Sequence, residues 1–388
     1  MINMFMKIMI NILKHISRIN LNQDNKIFLQ ELFNHNICIK SLINLALEHG
    51  AAGLLFYHLK NLKLTDHLSK SDFSTLENIY QYTGINSLAI MAKAYEISYI
   101  SANAQIKTAV LQGLSVIRLY KAPGLRPMGD LDLLVSPFDK EKFISCLSSA
   151  GYKAVYAYPD LLTKHGILID IHTHILNLDR IETRKYVFPK DLTPMLENSI
   201  PFFNHHKGLL CLNPYDNLTA LCAHALKHSY SRIIWLTDIY ELLLVLCKKD
   251  HNAWELLVKR AGLWHQEKIV LYALILVENL FDFNIPFKVK NDLGINNISF
   301  IEKFILNLVL KGFVSNEICI ILWVCNIQGI NRKLRFIMEN IFPGKNIMEQ
   351  IFSRDLKKTG LKAYIKRTVN TGTLIWKNLF SALRFIVK

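Results

Sequence analysis

Apolar residues recur at helical spacing over most of this chain and alternate in only one central stretch. Between residues 25 and 107 the apolar positions fall three or four apart, as in Leu42, Leu45 and Ala46, or Leu88, Met91, Ala92 and Tyr95. Phe5, Ile8, Ile12 and Ile16 keep the same spacing, so Met1–Arg18 is expected to form an amphipathic helix. That segment lacks a small-residue cleavage site, which argues against a signal peptide. From residue 108 the pattern shortens. Val110–Gln112 is expected as a strand ending at Gly113, and Leu114–Tyr120 as a short helix. The loop Pro123–Gly129 feeds a strand beginning at Asp130. Asp139–Ala150 follows Pro137 as a helix, and Tyr152–Tyr158 and Gly166–Ile171 are expected as strands separated by a Pro-Asp turn. After Pro201 helical spacing returns. Asn213-Pro214-Tyr215-Asp216 is a helix start, with Asn as N-cap, Pro at the first position and Asp in the first turn. Further helices are expected at 232–248, 252–262 and 266–282. No internal repeat or low-complexity linker interrupts the chain.

The alternating stretch carries the chemistry. Asp130 and Asp132 stand two apart before Leu133, Leu134 and Val135. On a strand, positions i and i+2 share a face, so the two carboxylates project together. They repel unless a positive group lies between them, and a divalent cation is the common solution. Pro127 stiffens the loop, and Gly129 is expected to allow close backbone approach. Asp170 interrupts the apolar run Ile167-Leu-Ile-Asp-Ile-His172, where His172 shares its face and His174 continues the alternation. A lone acid in such a strand is costly unless paired or metal-bound. His224 and His228, at i and i+4 on a helix, have the spacing of a two-ligand metal site, but Ala225 stands where a zinc protease places its Glu. A cleft location is the simpler expectation for them.

Composition narrows the field. The 388 residues carry 46 Lys and Arg against 31 Asp and Glu, a net charge of +15 that suits an anionic partner. Half the residues are hydrophobic, which excludes a disordered chain. Seven cysteines, with no Cys-x-x-Cys, fit reduced thiols in a cytoplasmic protein better than a disulfide frame. No run of 18 apolar residues occurs. From Arg354 to Lys388 nine basic residues accompany one acid, Asp355, and this tail is expected to be amphipathic, with weak membrane-surface contact as one use.

The string Gly124-Leu-Arg-Pro-Met-Gly-Asp-Leu-Asp-Leu-Leu-Val135 resembles that of an uncharacterised bacterial nucleotidyltransferase family in the DNA polymerase β-like superfamily, often found in biosynthetic gene clusters. The likeness extends over roughly residues 25–350. It includes the helical region 42–59, Asp170-Ile-His172, His224-Ala-Leu-Lys-His228, Trp235-Leu-Thr-Asp238 and the basic segment Arg335–Pro343. The resemblance implies an α+β fold, with a small mixed sheet flanked by N- and C-terminal helical regions. The units would be 1–107 (helical), 108–200 (nucleotidyltransferase core), 201–350 (helical) and 351–388 (basic tail).

The implied reaction is Mg²⁺-dependent transfer, with Mn²⁺ as an alternative cation, of a nucleoside monophosphate from an NTP to an acceptor in natural-product or polysaccharide synthesis. The acceptor would be a small molecule, a peptide or an RNA. Asp130, Asp132 and Asp170 would hold metal and act in catalysis. Gly113, Ser115, Arg126 and Gly129 would meet the nucleotide, with Arg118 and Lys121 nearby. His172, His224, His228 and Asp238 would line the cleft, beside Arg232 and Trp235. Two departures stand out: Gln112 replaces a usual Lys, and Leu114 replaces the Ser of the superfamily Gly-Ser pair. They leave room for a non-catalytic nucleotide-binding or membrane-surface module, and the basic charge for a toxin-like enzyme acting on RNA or protein.

Overall fold

The computed structural model describes residues 11–33, 38–156, 158–204, 208–312, 316–344 and 347–348. The basic tail and its membrane contact, like Phe5 and Ile8, lie outside these residues. Residues 11–16 are helical, and Ile12 and Ile16 are fully buried in the main core.

A seven-stranded mixed sheet runs through the centre in the order β3-β4-β5-β2-β1-β7-β6. Its strands are β1 (Thr108–Val110), β2 (Leu131–Val135), β3 (Lys153–Val155), β4 (Tyr158–Lys164), β5 (Ile167–His172), β6 (Ile200–Pro201) and β7 (Leu209–Cys211). Helices precede and follow it in the chain, so the α+β class holds. β2 lies antiparallel to β1 and parallel to β5, and β1 is parallel to β7.

The strand alternation divides two cores. Leu131, Leu133, Val135, Ile169 and Ile171 face one side, with Phe143 and Leu147 of the helix Lys140–Ser149 and Ile90, Ala94 and Ile97 of the long helix Lys70–Ala104. Leu134 and Ala109 face the other, toward the C-terminal helices. Each of these fully buried aliphatic side chains contributes about 1.5–3 kcal/mol, so a one-residue slip of β2 would cost far more than it could regain. That register puts Asp132 and Asp170 on the C-terminal-helix side.

Several expectations change. The first strand is Thr108–Val110, and Gln112 already opens the short helix Gln112–Val116; β2 begins at Leu131, with Asp130 in the bend before it. The turn before β5 is His165-Gly166, both at positive φ (52° and 79°), the conformation of a two-residue hairpin. Pro159-Asp160 lies inside β4, where the β3–β4 register shifts and a residue without an N–H costs no ladder bond. The chain also does not turn directly helical after Pro201. β7 first adds to β1, and only then does Asn213 cap the helix Pro214–Lys227, its side chain accepting from the Tyr215 N–H.

The Pro123–Gly129 loop is pinned from the N-terminal helices. Asn86 Nδ2 donates to the Met128 carbonyl at 2.6 Å and Ser87 Oγ to the Arg126 carbonyl at 3.3 Å, both from the long helix. A Cβ on Gly53 would lie 2.0 Å from the Gly124 carbonyl oxygen, so the helix Ala52–Asn61 touches the loop backbone to backbone.

Candidate active site

Asp132 and Asp170 are direct cross-strand partners in the parallel β2–β5 pair, and His172 lies two residues along on the same face. His172 Nε2 stands 2.7 Å from Asp132 Oδ1 and 3.4 Å from Asp170 Oδ2. One ligand atom from each of the three lies within 4.8 Å of the others. Asp130, in the bend just before β2, is outside that group, yet its carboxyl is pushed up to about 7 by burial and by Asp132 and Asp170. The Asp170 carboxyl is also raised, first by burial, with His172 opposing and Asp132 adding to the rise. His172 lies within ion-pair distance of both Asp132 and Asp170, and the charges of Arg180 and Lys227 act on Asp170. Crowded carboxylates, with Asp130 and Asp170 raised in proton affinity and a histidine beside them, are a donor set that could hold a metal ion, and their oxygens suit a hard divalent cation.

His172 is almost fully buried. Burial lowers its basicity, but the Asp132 hydrogen bond and the two carboxylates outweigh that and leave it raised. Its Nδ1 meets Asn177 Nδ2 at 3.1 Å, and Lys227 Nζ donates to Asn177 Oδ1. Lys227 is lowered to about 8 by burial and then by Arg184. His174 does not join this cluster. Its Nε2 meets the Pro189 carbonyl at 2.9 Å and its Nδ1 accepts from the Leu176 N–H, a purely structural arrangement.

The residues expected around the nucleotide divide. Arg126 is 6 % exposed and its guanidinium is already engaged: Nη2 lies 2.6 Å from Asp238 Oδ2, Nε 3.3 Å from Oδ1, and Nη1 2.6 Å from the Pro127 carbonyl. Asp238 is fully buried and also accepts from Tyr120 Oη at 2.7 Å, so it does not line a cleft. This pair ties the motif loop to the helix Ile233–Lys249. Gly113 is required by it, since a Cβ there would lie 2.6 Å from Arg126 Nη1. Gln112 adopts a left-handed φ of 51°, and Ser115 Oγ bonds the Gln112 carbonyl and Asn217 Oδ1. Gly129 is exposed, and a Cβ built there meets nothing within 4 Å; no protein neighbour requires the glycine. Lys121 Nζ pairs with Asn20, and Arg118 stacks over Phe202.

The His224 and His228 rings meet at a tilt with centroids 4.6 Å apart, and both touch Trp235, His224 edge-on and His228 at a tilt. His224 is 6 % exposed, its Nδ1 has no hydrogen-bond partner, and burial drives its basicity well below the ordinary value. His228 is lowered to about 4, by burial and then by Lys227, while the charge of Asp132 opposes this. His165 sits at the hairpin turn, at the other end of β5 from Asp170, and Arg232 bonds the Glu48 carbonyl.

Asn177, Arg180 and Lys227 were not legible as site residues. Arg180 is exposed, stacks over Tyr158, and its charge acts on Asp170. Lys227 did leave a trace in the sequence: it is the one lysine between two histidines at the end of the helix Pro214–Lys227.

A family model described as uncharacterised nucleotidyltransferase matches residues 35–282, well over half of the chain. No curated protein and no solved structure matches significantly.

Proposed function

We propose a specific reaction for this chain, which belongs to the uncharacterised nucleotidyltransferase family and is a transferase: it moves a nucleoside monophosphate from an NTP to an acceptor hydroxyl. The observation that supports this most is the register of β2 on β5, which places two carboxylates side by side with a third at the head of β2. Asp130, Asp132 and Asp170 hold Mg²⁺, which when bound neutralises phosphate charge and favours ionisation of the attacking hydroxyl. Asp170 receives the acceptor's proton. The acceptor oxygen attacks the α-phosphorus in line, the new P–O bond forms, and the α–β P–O bond breaks to release pyrophosphate.

Arg126 is held by Asp238, so the phosphate charge falls to other cations. Arg180 is exposed and its charge acts on Asp170, which makes it one of those cations. His228, with its ring low in basicity, suits a neutral contact to the acceptor or the base. Thermal unfolding with each NTP plus Mg²⁺ tests this reading. Wild type should gain stability through ligand linkage and Asp132→Asn should not; equal shifts in both proteins would remove Asp132 from the cation site.

A further inference from the structure

The hydrogen-bond chain behind the acids has a direction. The Lys227 ammonium carries three N–H groups and no acceptor, and its Nζ donates to Asn177. The Asn177 atom facing it must therefore be the amide oxygen, whichever way a side-chain amide is drawn. That fixes the amide nitrogen toward His172, 3.1 Å from Nδ1, where it can only donate. Nδ1 accepts and is bare. The ring hydrogen then sits on Nε2, 2.7 Å from Asp132 Oδ1 and 3.4 Å from Asp170 Oδ2. The carboxylates that raise the basicity of His172 lie on its Nε2 side, whereas a second hydrogen, on Nδ1, would be set against the Asn177 amide hydrogens, and Asn177 cannot turn over without setting those hydrogens against Lys227.

We propose that Lys227 and Asn177 are positioning residues that hold His172 with its hydrogen on Nε2, so that the imidazole donates to Asp132 beside Asp170 and leaves an all-oxygen ligand set for the cation. The lone pair that a metal would need at Nε2 is occupied by hydrogen. His172 thus belongs to the site as a clamp on its carboxylates, although its distances alone would admit it as a ligand. Three features support a built device. Asn177 and His172 are buried, at 6 % and 3 % exposure. Asn177 holds a left-handed φ of 52°, which asparagine tolerates better than most residues and which aims its amide back at β5. The members come from three separate places in the chain, β2, the β5 segment and the end of the helix Pro214–Lys227, so the relay also locks that helix to the sheet. An oxygen-only set favours Mg²⁺ and Mn²⁺ over zinc, which takes imidazole readily.

The inference rests on the proposed function only in treating these acids as a cation site. Two readouts on the full-length chain separate the two ideas. Long-range ¹⁵N–¹H correlation of histidine-labelled protein, with His172→Gln identifying the signal, should show a pyrrole-like Nε2 and a pyridine-like Nδ1 in wild type. Lys227→Met frees the Asn177 amide to present its oxygen, and Nδ1 should lose its pyridine-like shift; Lys227→Arg should restore it. A pyridine-like Nε2 in wild type, or an unchanged pattern in Lys227→Met, overturns the relay. The wild-type pattern decides even if Lys227→Met does not fold. Pulsed EPR with Mn²⁺ alone should show no directly bonded imidazole nitrogen, and such a coupling overturns the all-oxygen set. Absence of any Mn²⁺ binding would contradict the proposed function while leaving the nitrogen shifts to judge the relay.

Discussion

Asp238→Ala should be among the most damaging single substitutions in this protein, although Asp238 touches no solvent. The carboxylate is fully buried and accepts three contacts, from Arg126 Nη2 at 2.6 Å, Arg126 Nε at 3.3 Å and Tyr120 Oη at 2.7 Å. Its removal leaves a guanidinium that is only 6 % exposed with one remaining bond, to the Pro127 carbonyl. Breaking a buried pair from one side costs about 3–5 kcal/mol, because the surviving charge stays out of water without a partner. Replacing both members with apolar groups of similar volume avoids that charge, so Arg126→Met/Asp238→Leu should fall within about 1–2 kcal/mol of wild type. The double-mutant cycle should then give a coupling of at least about 2 kcal/mol. Equilibrium urea unfolding, followed by tryptophan fluorescence and by far-UV circular dichroism, supplies the numbers. A loss below about 1 kcal/mol for Asp238→Ala would refute the reading, because it would mean that water reaches Arg126.

Two further outcomes follow from the same geometry. Gly113→Ala should displace the Arg126 guanidinium, since the new methyl would lie 2.6 Å from Nη1; unfolding free energy should drop by about 1–3 kcal/mol, and the loss should shrink in an Arg126→Met background. With Asp130 raised to about 7, the native state binds that proton more tightly than the unfolded chain. Its contribution to stability is full below the unfolded value near 4 and is lost as pH rises to about 7, so without a cation the protein should weaken across that window. Mn²⁺ competes with the same proton, so its affinity should climb by up to about tenfold per pH unit below 7 and level off above it, with proton release seen by calorimetry in buffers of different ionisation enthalpy. A pH-independent affinity between 5.5 and 8 would contradict the Asp130 assignment.

What the chain revealed on reading, and what it withheld, follows from the range of the interactions. Asp132 was legible because a period-two pattern is local and needs only the strand itself, whereas Asp130, expected on the same strand face, lies in the bend before β2 and outside the Asp132–Asp170–His172 group. Asp170 and His172 were legible for the same reason, and the Asn213 cap because capping is settled within four residues. Arg126 was misassigned for the opposite reason. Its partner Asp238 lies 112 positions away, and only the fold reveals that a loop arginine next to two aspartates turns from them to a third. The Lys227–Asn177 bond spans 50 positions and was equally hidden. β7 escaped because three residues are too few to show alternation, and the Pro-Asp turn because proline in a strand is permitted where the ladder slips.

The central claim is that the carboxylates of Asp130, Asp132 and Asp170 form one cation site that receives a nucleoside triphosphate. Crystals soaked with Mn²⁺ and an NTP whose α–β bridge cannot be cleaved test it most directly, through the anomalous signal of manganese. Manganese should appear within about 2.0–2.4 Å of oxygens from these carboxylates and of the triphosphate. Manganese elsewhere, or triphosphate density away from β2 and β5, would contradict the account.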